Sequence, residues 1–313
     1  MQRIHFLTRF RRACVILALG ALVAQAALTA SARPPHTLDT PHPLDTPHTS
    51  HTSHTSHTSH TSHTSDTPDT PDKPPPARAI PILVYHRFAA TAKDAMTVRT
   101  ATFEGHLRTI AQAGFEVVPL AAALTWYAGD DAAVPAHAVA ICVDDGHRSV
   151  HDVLQPLLRA RTTPLPVTLF IYPSAISNAS YAMTWDQLRA LRQDGAYAIE
   201  SHTYWHPNFH TERAHRDAAG YRAFVLAQLE KARARIHAET GSPATLLAWP
   251  FGIHDRQLEA FAAEAGHTAA FSLDARPLTR AAPVMALPRY LITDACGNAC
   301  MQQILHRAER NDD

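Results

Sequence analysis

From residue 80 onward, short apolar runs alternate with longer stretches whose apolar residues recur at helical spacing. The runs lie at residues 80–85, 116–119, 138–143, 167–172, 196–199, 245–248 and 268–271, each of strand length. Amphipathic segments at 103–113, 149–160, 184–194, 213–239 and 255–265 lie between them. Gly114, Gly195 and Gly266 follow three of these segments, where a residue free to take positive φ closes a helix. Thr184, with Asp186 behind it, is a plausible helix start. Strands alternating with helices predict a mostly parallel sheet covered by helices. The expected fold class is α/β, a (β/α) barrel, incomplete or distorted, with seven parallel strands and outer helices.

The chain before residue 80 has a different pattern. Arg3, Arg9, Arg11 and Arg12 precede an uncharged apolar stretch over residues 13–30, and Ala30-Ser31-Ala32 offers a cleavage site. Residues 1–32 read as a secretory signal, with Ala24-Gln25-Ala26 as a second possible cut. The alternative is an uncleaved anchor, the one route to a membrane; the apolar run is slightly short to span. Export to the periplasm or beyond is expected. Residues 33–79 read as a disordered linker: six His-Thr-Ser triplets run from His48 to Ser65, flanked by Thr-Pro repeats and Pro74-Pro75-Pro76. Such a tract cannot bury enough apolar surface to offset its ordering entropy. It reads as a spacer or, more pointedly, as a collector of divalent metal. Residues 80–313 form the folded domain.

Charge changes this picture by exclusion. Lys plus Arg and Asp plus Glu are 28 each, so nothing marks the chain for nucleic acid or an anionic membrane. Of four cysteines, Cys14 leaves with the signal, Cys296 and Cys300 either pair or stay free, and Cys142 is a buried thiol. Oligomeric state is not legible.

In parallel α/β folds the working residues lie just beyond the carboxyl ends of the strands. Those positions hold His86, Asp144-Asp145-Gly146, His202 to His206, and Trp249-Pro250-Phe251-Gly252. Adjacent carboxylates repel unless one is neutralised, and a divalent metal does this while leaving the other free as a base. Asp-Gly is also ordinary turn chemistry. His202 and His206, four residues apart, would sit about 5–6 Å apart on one helical turn and could share an ion; they could equally be surface histidines.

These residues carry a resemblance. Cys142-Val143-Asp144-Asp145-Gly146 is similar to the Thr-Phe-Asp-Asp-Gly motif of the polysaccharide deacetylases of carbohydrate esterase family four, the NodB-homology family. Ser201 to His206 resembles that family's His-Ser/Thr-x-x-His motif, and Ala248 to Gly252 its Arg-x-Pro-Tyr-Gly motif. Ile82-Leu83-Val84-Tyr85-His86, at the start of the domain, resembles the circularly permuted branch that deacetylates poly-β-1,6-N-acetylglucosamine. The resemblance implies a deacetylase of an N-acetylated polysaccharide. Asp145, His202 and His206 would bind a divalent metal, zinc first, with cobalt or nickel able to serve. Asp144 would be the base and His86 the acid, with His306 as competitor. Ala248 stands where the family has its orienting Arg, and Arg289, in Pro288-Arg289-Tyr290, is the substitute unless it is a plain surface charge. Phe251 would offer a backbone N–H to an oxyanion. Trp249, Tyr204 and Trp205 would wall the substrate or pack the core. No second, glycoside-hydrolase-like half is expected after residue 295. The rival readings are a silent glycan-binding module, and an esterase or deacetylase acting on peptidoglycan, chitin oligomers or xylan.

Overall fold

The computed structural model describes residues 78–310. The leader, the His-Thr-Ser tract and Cys14 lie outside the described residues. Arg78, expected in the linker, is already docked: its guanidinium donates to the carbonyls of Asp131, Val134 and Ala136.

The main sheet comprises β1 (Ile82–Tyr85), β4 (Glu116–Val118), β5 (Ala138–Asp145), β6 (Val167–Ile171), β7 (Tyr197–Ser201), β8 (Leu246–Ala248), β9 (Ala269–Phe271) and β10 (Tyr290–Leu291). All pair in parallel, in the order β10-β1-β5-β6-β7-β8-β9, with β4 beside the first half of β5. The short strands β2 (Arg87–Ala89) and β3 (Thr97–Arg99) form a separate pair. The helices are α1 (Thr100–Gln112), α2 (Leu120–Tyr127), α3 (Gln155–Arg159), α4 (Trp185–Gln193), α5 (Phe209–Ala214), α6 (Ala218–Thr240), α7 (Arg256–Glu264) and α8 (Asn298–Arg310). The result is a curled parallel sheet with outer helices, a distorted (β/α) barrel.

Strand alternation builds two cores. On β5, Val139, Ile141 and Val143 pack outward under α1, α3, α4 and α8, while Ala138, Ala140 and Cys142 face the concave side. Phe170 on β6 and Phe271 on β9 are not on neighbouring strands, yet their rings stand 5.5 Å apart, so they meet across the interior. Small residues on β5 leave room for them. A third cluster packs α6 and α7 against Leu247, Trp249 and Ala270.

The curl is closed by one irregular segment. Ala270 N–H donates to Val284 O at 3.0 Å, and Ser272 N–H to Leu287 O at 2.8 Å. Three residues later Tyr290 pairs with Leu83. The segment 284–291 therefore spans the gap between β9 and β1. β10 is too short to show as an apolar run, so it was not anticipated.

Two predicted helices are corrected. The segment 213–239 is split, because Asn208 caps α5 and Asp217 caps α6, each by accepting backbone N–H groups. The segment 149–160 opens with a π-helical turn, Val150–Leu154, ahead of α3. The capping glycines hold: Gly114, Gly195 and Gly266 have φ of 75°, 80° and 83° just after their helices. Thr184 forms a capping box with Gln187. Cys296 and Cys300 are joined as a disulfide, and Cys142 is a free buried thiol.

Candidate active site

The inward rows of the strands aim the site. His86 continues the row Ile82, Val84 past the end of β1, and Asp144 continues the row Ala140, Cys142 on β5. In a regular strand Asp145 would point the opposite way. Its φ of 74°, followed by 72° at Gly146, turns the chain so that both carboxylates reach the same rim. Asp is among the few residues that enter this region with little strain. His202 and His206 do not lie on a helical turn as expected. They sit in an irregular loop after β7, where Thr203 and His206 have φ of 64° and 63°. Those two left-handed residues, rather than helical pitch, bring the rings to 4.6 Å.

Asp145, His202 and His206 offer ligand atoms that all lie within 4.8 Å of one another. Asp145 Oδ1 is 3.8 Å from Nε2 of each histidine. Donors about 2.0–2.2 Å from a shared tetrahedral centre stand roughly 3.4 Å apart, so the set fits a divalent ion with little movement. His202 Nδ1–H donates to Ala248 O at 2.7 Å, which leaves Nε2 facing Asp145 as an acceptor. Burial first, then the neighbouring His202, pushes the His206 imidazole down to about 4 against the pull of both aspartates. It is thus an unprotonated donor at neutral pH.

Asp144 Oδ2 also lies 3.9 Å from His202 Nε2, but both oxygens of its carboxylate are engaged by Arg289. The guanidinium is fully buried and grips the carboxylate twice, Nη1 to Oδ1 at 2.9 Å and Nη2 to Oδ2 at 2.8 Å. Its Nε–H donates to Ser272 O at 3.2 Å, and its plane lies over Phe170 and Phe271. Burial alone would raise the Asp144 carboxyl; Arg289, then His202, hold it below the usual carboxylate range. Arg289 is not a surface charge. It comes from the closing segment, while Ala248 supplies only its carbonyl to His202.

A cleft of about 470 Å³ opens over these groups, lined also by His86, Trp249 and Phe251. Burial lowers the His86 imidazole against Asp144 and Asp145, and its Nδ1 has no hydrogen-bond partner. Phe251, at φ 57°, is 58% exposed and sets its ring edge-on to His206 at 4.6 Å. Trp249 is buried in the third core cluster, its indole N–H donating to Met285 O, and the residue also borders the cleft. Tyr204 does not line the cleft; its carbonyl accepts from Ser174 N–H. Trp205 is exposed with its ring against Phe224. His306 is exposed on α8 and pairs with Glu309, outside the cleft. Sequence reasoning missed Tyr172, which lines the cleft one residue past β6. The same rule of strand ends points to it, but its ring had been counted into the apolar run.

Residues 131–270 match the polysaccharide deacetylase family. No curated protein matches the chain in sequence. Among solved structures, the chain is similar to the Streptococcus pyogenes deacetylase PplD in complex with acetate, at 16% identity and TM-score 0.64, over 74% of this chain and 99% of that one. It is similar to IcaB from Ammonifex degensii at 20% identity and TM-score 0.60, over 72% and 98%. It is also similar to the deacetylase domain of BpsB from Bordetella bronchiseptica at 22% identity and TM-score 0.58, over 70% and 98%. These likenesses speak for the fold. The family match covers residues 131–270, so this part of the chain is similar to polysaccharide deacetylase domains, and the solved structures share its fold.

Proposed function

We propose that this chain is an exported hydrolase that removes acetyl groups from an N-acetylglucosamine-containing polysaccharide. The observation that carries this reading is the division between two adjacent carboxylates. One faces two imidazoles; the other is locked to a buried guanidinium and kept ionised. A binding module has no use for a spare base beside a ligand set.

Asp145, His202 and His206 would hold a divalent metal, zinc by its preference for N and O donors, with cobalt or nickel able to replace it. Such an ion polarises an acetyl carbonyl and makes water more acidic. Asp144 accepts the proton of the attacking water: each carboxylate oxygen keeps a lone pair beyond the one Arg289 occupies. Arg289 orients that carboxylate and holds it deprotonated between turnovers. The Phe251 backbone N–H supports negative charge building on the acetyl oxygen. His86 protonates the departing amine, which could not leave as an anion. Burial lowers this imidazole, so the proton it passes to the amine is the one Asp144 has taken from the water, relayed to His86 across the cleft, which returns both groups to their starting forms. Tyr172 takes the wall position once expected of Tyr204.

The test is acetate release from poly-N-acetylglucosamine by the full chain, with and without a chelator, beside metal analysis. Chelation should abolish release. Asp145→Ala and His202→Ala should lose metal and activity together, whereas Asp144→Asn keeps its metal and slows by about 10²–10⁴-fold. Wild-type turnover by Asp144→Asn would refute the assignment of the base. Substituting His86 should slow turnover without reducing metal content. Release from peptidoglycan, chitin oligomers or xylan instead would move the substrate; glycan retention with no acetate released would mark a silent binding module.

A further inference from the structure

Among the described residues, the exposed large apolar side chains are Tyr181, Trp205, Phe251 and Val284. Of the three aromatic ones, Phe251 lines the cleft, and the other two lie near residues that do. Phe251 touches His206, Trp205 precedes it in the chain, and Tyr181 is joined to it through Tyr172. The Tyr172 ring lies 5.5 Å from His206, and its hydroxyl is 2.9 Å from that of Tyr181. Tyr181 in turn stacks on His147, nearly parallel at 11° and 6.3 Å between centroids. A line of rings therefore runs from His206 in the cleft through Tyr172 to Tyr181, and its outer member is 45% exposed.

The loop carrying Tyr181 is fastened to the segment just after the paired aspartates. Arg148 N–H donates to Tyr181 O at 2.8 Å, Met183 N–H donates to Gly146 O at 3.0 Å, and His147 bridges Ala182. These ties are made by the backbone and do not require an aromatic side chain at 181. What the ring adds is a broad apolar face, fixed in place beside Tyr172, which lines the cleft. A β-linked pyranose presents a flat face of C–H groups, and burying that face on a pre-positioned ring costs little side-chain entropy.

We infer that Tyr181 is a stacking platform for the sugar next to the one that loses its acetyl group. The cleft then takes an internal stretch of a glycan chain in preference to a lone sugar. Only the reference to acetyl loss rests on the proposed deacetylase function; the platform itself concerns binding.

The experiment compares the full chain with its Tyr181→Ala and Tyr181→Phe variants. Calorimetric titration with a β-1,6-linked N-acetylglucosamine pentamer gives Kd, and acetate release from the pentamer and from N-acetylglucosamine gives the ratio of kcat/KM values. Tyr181→Ala should raise the pentamer Kd about tenfold and lower the pentamer-to-monomer ratio by a similar factor. Tyr181→Phe, which keeps the ring and loses the hydroxyl pair, should stay within about threefold of the parent. An unchanged Kd in Tyr181→Ala, equal losses on pentamer and monomer, a Phe variant as weak as the Ala variant, or no pentamer binding by the parent would each overturn the platform. Pentamer binding that depends on Tyr181 without any acetate release would uphold the platform and remove the deacetylase reading instead.

Discussion

Asp144 and Asp145 are neighbours in sequence and opposites in environment. Asp144 is buried against a guanidinium, and Asp145 is turned by its positive φ toward two imidazoles. Removing one partner of a buried ion pair leaves the other uncompensated, which costs far more than the intact pair contributes. Arg289→Met should therefore destabilise the domain by about 3–5 kcal/mol in urea unfolding. With the guanidinium gone, burial dominates and the Asp144 carboxyl moves up from its depressed position. Below that raised value Asp144, the proposed base, is protonated, so activity in Arg289→Met should fall on the acid side at a higher pH than in the parent. An unmoved acid limb would separate Arg289 from Asp144. Asp145, His202 and His206, the proposed metal ligands, are untouched, so metal content should persist.

At the scale of elements, the site is made by the places where strands stop being regular. β5, β7 and β8 each pass into a turn with a residue of positive φ: Asp145, Thr203 and His206, and Phe251 with Gly252. Gly252 is the position least able to change. A Cβ there would lie 2.9 Å from Leu273 Cβ and 3.1 Å from the Leu273 backbone nitrogen, and its φ is 70°. The clash is partly with backbone, which cannot rotate away. Gly252→Ala should cost about 1–3 kcal/mol in urea unfolding. It should also lower activity, because it shifts the peptide that carries Phe251. Gly114 has positive φ but nothing within 4 Å of a built Cβ, so Gly114→Ala should be the milder of the two.

For the whole molecule, closure depends on the segment from Val284 to Leu291, which joins β9 to β1 and delivers Arg289 into the interior. Behind it, the Cys296 carbonyl accepts from His106 Nε2–H, and His106 Nδ1 accepts from the Tyr85 hydroxyl at 3.1 Å, tying α1 and the α8 approach to β1. A second buried histidine makes stability depend on pH. Burial and the Arg233 cation, partly offset by the Thr245 backbone, push the His267 imidazole down to about 4. The unfolded chain takes up this proton near pH 6.5, the folded chain only near 4, so stability is complete above 6.5 and drains away as pH falls toward 4. The loss of unfolding free energy between pH 7 and pH 5 should be about 2 kcal/mol smaller in His267→Leu than in the parent, measured by denaturant unfolding at both values. An identical loss would remove His267 from the account.

The alternation of apolar runs with amphipathic stretches determined the fold class, because burial on both faces of a parallel strand and on one face of a helix writes two distinct periods into the chain. The rule that chemistry gathers at strand ends then pointed to His86, the aspartate pair, the histidine pair and Phe251, which line one cleft. Those are local properties, readable in a few consecutive residues. What the tertiary structure decided was every relation between distant segments: that Arg289 crosses the closed barrel to Asp144, that His306 faces solvent, and that Tyr172 lines the cleft while Tyr204 does not. It also decided that the two histidines meet through left-handed turns and not through a helix. A backbone dihedral and a contact across 145 residues leave no period in sequence, since each depends on how the sheet curls and closes.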